Sequence, residues 1–208
     1  MIIRVWLGPE PPRRVVELEA AWRELNPGWL VHTWREWELP ALRNQLWFDA
    51  ATHPAQRADI ARLELLHRFG GVYVDTDFVP LRPIEDLIAD TDFFIASEDG
   101  QWLSTGIVGA RSRHPFLTML IDGIGDSILS QPGAPPNEQT GPKYVTARRL
   151  DYERDPSTPP ISIFPPALFY PYHFSEPERR GGPFPDAYAV HEWSMSWTAA
   201  DQSDDDGA

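Results

Sequence analysis

The sequence predicts an α/β fold built on a largely parallel sheet, and three observations carry that expectation. Segments with strand character alternate with segments of helical periodicity through the first 130 residues. The clearest helix, Pro54–Phe69, stops at Gly70-Gly71 and hands the chain directly to a short apolar strand, Val72-Tyr73-Val74. Further apolar runs, at Phe93–Ser97 and Ile107–Ala110, have the length and composition of buried strands.

The elements follow in order. Ile2–Leu7 reads as a first buried strand, closed by Gly8-Pro9. Arg13–Leu25 carries Val15, Leu18, Trp22 and Leu25 at the spacing of one helical face, and Asn26-Pro27-Gly28 stops it. Trp29–Trp34 is a second strand and Ala41–Ala50 a second helix. Pro54 suits the first turn of the third helix, where its missing N–H costs nothing. Pro115–Leu129 and Lys143–Leu150 read as helices on either side of a Pro/Gly-rich loop, Gln131–Pro142. Ile161–Phe164 and Ala187–His191 are late strands. The expected organisation is one domain over residues 1–200 and an acidic, disordered tail over 201–208.

Composition excludes several functions. The chain has 208 residues and a net charge of −13, of which four charges (Asp201, Asp204, Asp205, Asp206) lie in the tail. So acidic a body lacks the basic face that nucleic acid requires, and an anionic membrane would repel it. There are no cysteines, so thiolate metal sites, disulfides and cysteine nucleophiles are excluded. The amino-terminal apolar run is too short for a signal peptide, and none approaches the roughly 18 residues of a membrane span. The default expectation is a cytoplasmic protein without a transmembrane anchor.

Asp75-Thr76-Asp77 follows a strand. Two aspartates one residue apart in extended chain project to the same side. Their oxygens suit a hard divalent cation, Mn²⁺ or Mg²⁺, able to bridge to a nucleotide diphosphate. The pattern alone says little, because Asp-x-Asp occurs at 75–77, 90–92 and 204–206. Position separates them. Asp75 should lie at the carboxyl end of its strand, where open α/β sheets bind ligands. Asp90 precedes a strand and should lie at the opposite edge.

The run Ala58-Asp59-Ile60-Ala61-Arg62, continuing to Gly70-Gly71-Val72-Tyr73-Val74-Asp75-Thr76-Asp77, resembles the sugar-binding core of the DXD glycosyltransferases. That branch includes fungal alpha-1,6-mannosyltransferases, bacterial capsular-polysaccharide transferases and, distantly, the glucosylating domain of clostridial toxins. Val5-Trp6-Leu7-Gly8, Thr140-Gly141-Pro142 and His191-Glu192-Trp193-Ser194-Met195-Ser196-Trp197 resemble other family segments in the family's order. The resemblance implies a GT-A-type, Rossmann-like nucleotide-sugar-binding domain with a mostly parallel central sheet. It implies a UDP- or GDP-sugar donor, Mn²⁺ or Mg²⁺, transfer of a hexose with retention of configuration, and a glycan, lipid-linked or protein acceptor.

Carried over residue by residue, the resemblance makes Asp75, Asp77 and Arg62 the catalytic group. Asp75, Asp77 and His191 would be metal ligands. Trp6 would stack on the nucleobase, with Asp59, Arg62, Tyr73, Asp75, Ser196 and Trp197 around the rest of the donor. Core packing is the plain alternative for Trp6 and Tyr73, a surface salt bridge for Asp59 and Arg62, and a structural role for His191. Glu192 and Ser194 stand near enough to exchange roles with Ser196 and Trp197. Arg57 and Lys143 could supply positive charge to phosphate, with a solvated side chain as the plain alternative for each. Glu98 and Asp99, just past a strand, are the carboxylates to watch near the sugar. Ser104 and Thr105 stand where the family often carries an asparagine, which leaves donor preference open.

Two other functions compete. Asp75-Thr76-Asp77-Phe78-Val79 fits the opening motif of haloacid-dehalogenase phosphohydrolases, but it comes after about 70 residues instead of on the first strand, and Gly125-Asp126 has Ser130 where a second Asp is needed. A non-catalytic nucleotide-sugar-binding protein would use the same residues as a transferase.

Overall fold

The computed structural model describes residues 1–194, so the tail, Ser196 and Trp197 lie outside the described residues. The chain forms β1 (Ile2–Trp6), α1 (Arg13–Leu25), β2 (Val31–Arg35), α2 (Gln45–Ala50) and α3 (Pro54–Phe69). Then come β3 (Gly71–Val74), β4 (Phe78–Pro80), α4 (Glu85–Ile88), β5 (Phe93–Ser97) and β6 (Leu103–Ala110). It continues with α5 (Pro115–Ser130), α6 (Pro136–Gln139), α7 (Pro142–Tyr152), β7 (Ser162–Phe164) and β8 (Ala189–His191).

Six strands form one sheet in the order β2-β1-β3-β6-β5-β7. β1 pairs in parallel with β2 and β3, and β5 with β7. Only β6 runs against its neighbours, between β3 and β5, so the sheet is mixed with a parallel majority. β4 and β8 form a separate antiparallel pair.

Alternation along the strands feeds two cores. Ile3, Val5, Tyr73, Phe93, Ile95 and Val108 pack with side chains of α3, α5 and α7. Ile2, Val72, Val74, Phe94, Ala96 and Ile107 point the other way, against Trp22 of α1 and Phe169 and Tyr170 of the late chain. A sheet covered on both faces needs apolar residues at both parities, which is why its strands read as continuous runs.

The α3–β3 junction fixes where the strand's far end falls. His53 caps α3 by accepting from Ala55 N, Pro54 opens it, and Gly70 closes it with φ +66°. At Gly71, with φ +113°, a side chain would come within 2.3 Å of the Met1 carbonyl oxygen. Only glycine fits there, so β3 docks tightly beside the start of β1, and its last residue delivers Asp75 to the carboxyl edge of the sheet.

The Gln131–Pro142 segment is more ordered than a loop. It contains α6, tied to α3 by Gln56 Nε2 donating to Gln139 Oε1 at 2.6 Å. Among the described residues, no helix is long and apolar enough to cross a membrane.

Candidate active site and metal centre

Asp75 leaves β3 on the same side as Tyr73, and the Tyr73 hydroxyl donates to Asp75 Oδ1 at 2.6 Å. The Asp75 backbone N–H donates to the Gly106 carbonyl at 2.8 Å. A side chain at Gly106 would strike both Asp75 Oδ2 and the Tyr170 hydroxyl, so β6 passes beneath the carboxylate with bare backbone.

Beneath Asp75 lies a buried charge cluster. Arg62 Nη2 stands 3.2 Å from Asp75 Oδ1 and 3.6 Å from Asp59 Oδ1. Its Nη1 donates to the Thr105 carbonyl at 2.7 Å and Oγ1 at 3.0 Å, and its guanidinium lies over the Tyr73 ring. Asp59 accepts from Thr140 Oγ1 at 2.8 Å and from Thr105 Oγ1 at 3.3 Å. Asp59 and Arg62 therefore form no surface pair. They reach Asp75 from inside, and Tyr73 is buried with them. Thr140 opens the Thr140-Gly141-Pro142 segment, which anchors the start of α7 to α3.

Asp77 faces a different partner. β8 lies against β4 with Phe78 opposite His191, which puts His191 Nε2 3.0 Å from Asp77 Oδ1. Ser194 donates to Asp77 Oδ2 from both its backbone N and its Oγ, at 3.0 and 3.1 Å. The side chains of Asp75, Asp77 and His191 are 26%, 16% and 13% exposed. One ligand atom from each lies within 4.8 Å of the others.

Burial drives the titration of these groups, and their neighbours correct it. Burial raises the Asp75 carboxyl, Arg62 opposes the rise, and nearby Asp77 adds to it. For Asp77 burial also acts upward, but the His191 charge and the hydrogen bonds from His191 and Ser194 prevail and hold it well below the usual carboxylate range. Burial would lower His191, yet the attraction of Asp77 raises it. Arg62 stays charged because Asp75, Tyr73 and Asp59 outweigh its desolvation.

The donor set fits a divalent cation. Two carboxylates and an imidazole suit Mn²⁺ or Mg²⁺, with the nitrogen favouring the former. His191 Nδ1 is buried and has no hydrogen-bond partner.

Trp6 ends β1 at the same edge of the sheet, half-buried, with Nε1 donating to the Pro9 carbonyl at 2.8 Å. Other expectations need correction. Asp99 accepts from the backbone N–H of Gln101 and Trp102 at 2.8 and 2.9 Å, so it serves a turn, not the site. Glu98, the residue before it, is partly buried and feels the charges of His191 and His173. The Glu192 side chain pairs with Arg14 at 2.6 Å, and only its backbone N–H reaches Asp77. Ser194 is committed to Asp77. Arg57 and Lys143 pair with Glu36 and Glu138.

Two residues of the site went unnoticed in the sequence. Arg4 is fully buried in β1. It donates to the Thr76 carbonyl at 2.7 Å, the Val15 carbonyl at 3.1 Å and Thr33 Oγ1 at 3.2 Å. Burial pushes its pKa down to about 10, against the pull of Glu19 and more distant acids. It thus grips the backbone between the two aspartates. A charged residue inside an otherwise apolar strand was the available signal. Tyr170, whose hydroxyl donates to Ser104 Oγ at 2.7 Å, gave none, since it lies in an irregular Pro-rich segment.

Residues 12–94 match the family model of the glycosyltransferase sugar-binding region containing a DXD motif. Over that stretch the chain is similar to the DXD glycosyltransferases. It is 27% identical over 166 residues to a human alpha-1,4-N-acetylglucosaminyltransferase, covering 71% of this chain and 47% of that protein. Against inositol phosphoceramide mannosyltransferase 1 of Schizosaccharomyces pombe it is 24% identical over 212 residues, covering 97% of this chain and 62% of that one. The chain thus spans about half to three-fifths of the length of these relatives. The solved PaToxG glycosyltransferase superposes with a TM-score of 0.60 at 15% identity, over 74% of this chain and 69% of that one. The fold is of the GT-A type, as expected.

Proposed function

We propose that this chain transfers a hexose from a nucleotide-diphosphate sugar to a hydroxyl acceptor, using a divalent cation held by Asp75, Asp77 and His191. The observation that carries this is the convergence of those three side chains at the carboxyl edge of the sheet, with Arg62 beneath them. A bound cation supplies positive charge to the donor's diphosphate. The chain's own residues do the rest. Tyr73 and Arg62 hold Asp75 in one orientation, and Ser194 holds Asp77. Arg62 adds fixed positive charge near the departing diphosphate, in a site that needs no reorganisation. Trp6, at the same edge, offers a ring for the nucleobase.

In the transfer, the bond between the sugar's anomeric carbon and the diphosphate oxygen breaks. The acceptor oxygen bonds to that carbon, and the acceptor's proton leaves with the nucleotide diphosphate. Retention of configuration is part of the proposal.

The test is nucleotide release from UDP- and GDP-sugars, with Mn²⁺ or with EDTA. The expected result is slow hydrolysis of one donor, abolished by EDTA and reduced at least about 100-fold in Asp77→Ala. Metal-dependent donor binding without release, even with acceptors added, would favour a silent nucleotide-sugar binder. Neither binding nor release would overturn the proposal.

A further inference from the structure

The segment between β7 and β8, together with the residues just after β8, carries more aromatic surface than its core needs. Tyr170 and Tyr172 are buried, and packing accounts for them. Phe174 is different: it is 54% exposed. Its ring lies 3.9 Å from that of His173 and 5.7 Å from that of Trp193. His173 in turn meets the edge of Trp193 at 5.9 Å, and Trp193 stands 4.3 Å from His191. Trp193 meets His191, His173 and Phe174 edge to face, and the rings step outward as an aromatic shelf from the His191–Asp77 pair to exposed Phe174.

The shelf is held in place at a cost. Trp193 has φ +56°, a conformation that disfavours bulky side chains by roughly 1–2 kcal/mol. Its indole N–H donates to the Tyr172 carbonyl at 3.1 Å, which fixes the ring across the shelf. Strain at a half-buried aromatic residue beside a reactive site is the pattern that points to a ligand. A polar group edges the shelf: the His173 imidazole is half-exposed. An exposed aromatic ring beside a polar side chain suits a small polar ligand that has one apolar face. A pyranose is such a ligand: its axial C–H bonds make an apolar face, and its hydroxyls radiate from the rim.

We infer that Trp193, Phe174 and His173 form the acceptor subsite and take the terminal pyranose of a glycan or glycolipid. This rests on the transferase proposal. A ring seated there would present a hydroxyl toward the metal ligands, on the side reached through His191.

The test is binding, read from the Trp193 indole N–H signal by NMR as methyl pyranosides of glucose, galactose, mannose and N-acetylglucosamine are titrated into the Mn²⁺-free protein. At least one should shift that signal saturably. Phe174→Ala should weaken the binding at least tenfold and Phe174→Tyr should restore it, both with little change in melting temperature because the ring is exposed. The titration needs neither metal nor donor, which separates failure of this inference from failure of the transferase proposal. The inference is overturned if no pyranoside binds, or if Phe174→Ala binds equally well. It is also overturned if only octyl glycosides bind and octanol displaces them, since the shelf would then be a lipid contact. Pyranoside binding through Phe174 without any donor turnover would sustain the sugar subsite and sink the transferase proposal.

Discussion

Asp-Thr-Asp-Phe occurs twice in this chain, at residues 75–78 and 90–93, and the two copies meet opposite edges of one sheet. The first follows β3. Its aspartates are met by Arg62, Tyr73, His191 and Ser194, and its central carbonyl by Arg4. The second precedes β5, which runs in the same direction as β3 because each pairs antiparallel with β6. There Asp92 pairs with exposed Arg111 at 2.6 Å, and Thr91 Oγ1 turns back to the Ile88 carbonyl. Four identical residues thus make a charge cluster in one place and a surface ion pair in the other. What distinguishes them is strand polarity and what the rest of the chain brings to that edge.

The comparison is broken most directly by making one substitution at both copies. Asp75→Asn should lower metal-dependent donor turnover at least about 100-fold, because it removes a ligand whose orientation two neighbours maintain. Asp90→Asn and Asp92→Asn should leave turnover within about twofold. Equal losses at the two copies would mean that the site has been misplaced.

Arg4 sharpens the same contrast. Arg4→Met leaves the Thr76 and Val15 carbonyls without their buried donor, at about 1–3 kcal/mol of stability. It should also weaken Mn²⁺ binding about tenfold, measured by calorimetry on the folded fraction, as loss of a group that orients ligands does. Arg111→Met, beside the second copy, removes an exposed pair worth under about 1 kcal/mol and should not change Mn²⁺ affinity. If Arg4→Met destabilises without touching Mn²⁺ affinity, the residue serves the core alone.

The smallest effect lies near the second copy. His114 caps α5 by accepting from Phe116 N through Nδ1, which requires the neutral ring. Burial lowers its pKa below the ordinary 6.5, and Asp92 opposes this only in part. The neutral cap's contribution is therefore complete above pH 6.5. It is lost as pH falls through the lower folded-state value, because the unfolded chain takes up the proton first. His114→Asn keeps a capping acceptor that does not titrate. The melting temperature of the wild type should fall more between pH 7.5 and 5.5 than that of His114→Asn. Parallel curves would exclude His114 as the source of acid sensitivity.

Much of this was legible before any coordinates. Helix periodicity and Gly70-Gly71 placed α3 and β3 to within a residue, because local turn chemistry decides those boundaries. The order of strand and helix was enough to put Asp75 and Asp90 at opposite edges. The partners were harder. Nothing in the sequence pairs Arg4 with Thr76 or Tyr170 with Ser104, since those contacts exist only once distant strands are in register. Asp99 and Glu98 looked equivalent as neighbouring acids. A turn claimed one and left the other half-buried.

The β4–β8 pairing has a consequence for how the protein comes into being. Ser194 reaches Asp77 across 117 positions of chain. At ribosomal speeds of about 5–20 residues per second, those positions take roughly 6 to 23 seconds to emerge. Through that interval a nascent chain exposes both aspartates of its motif without the histidine and serine that later join them. Under the proposed transfer, the site would become competent only with the closing strand.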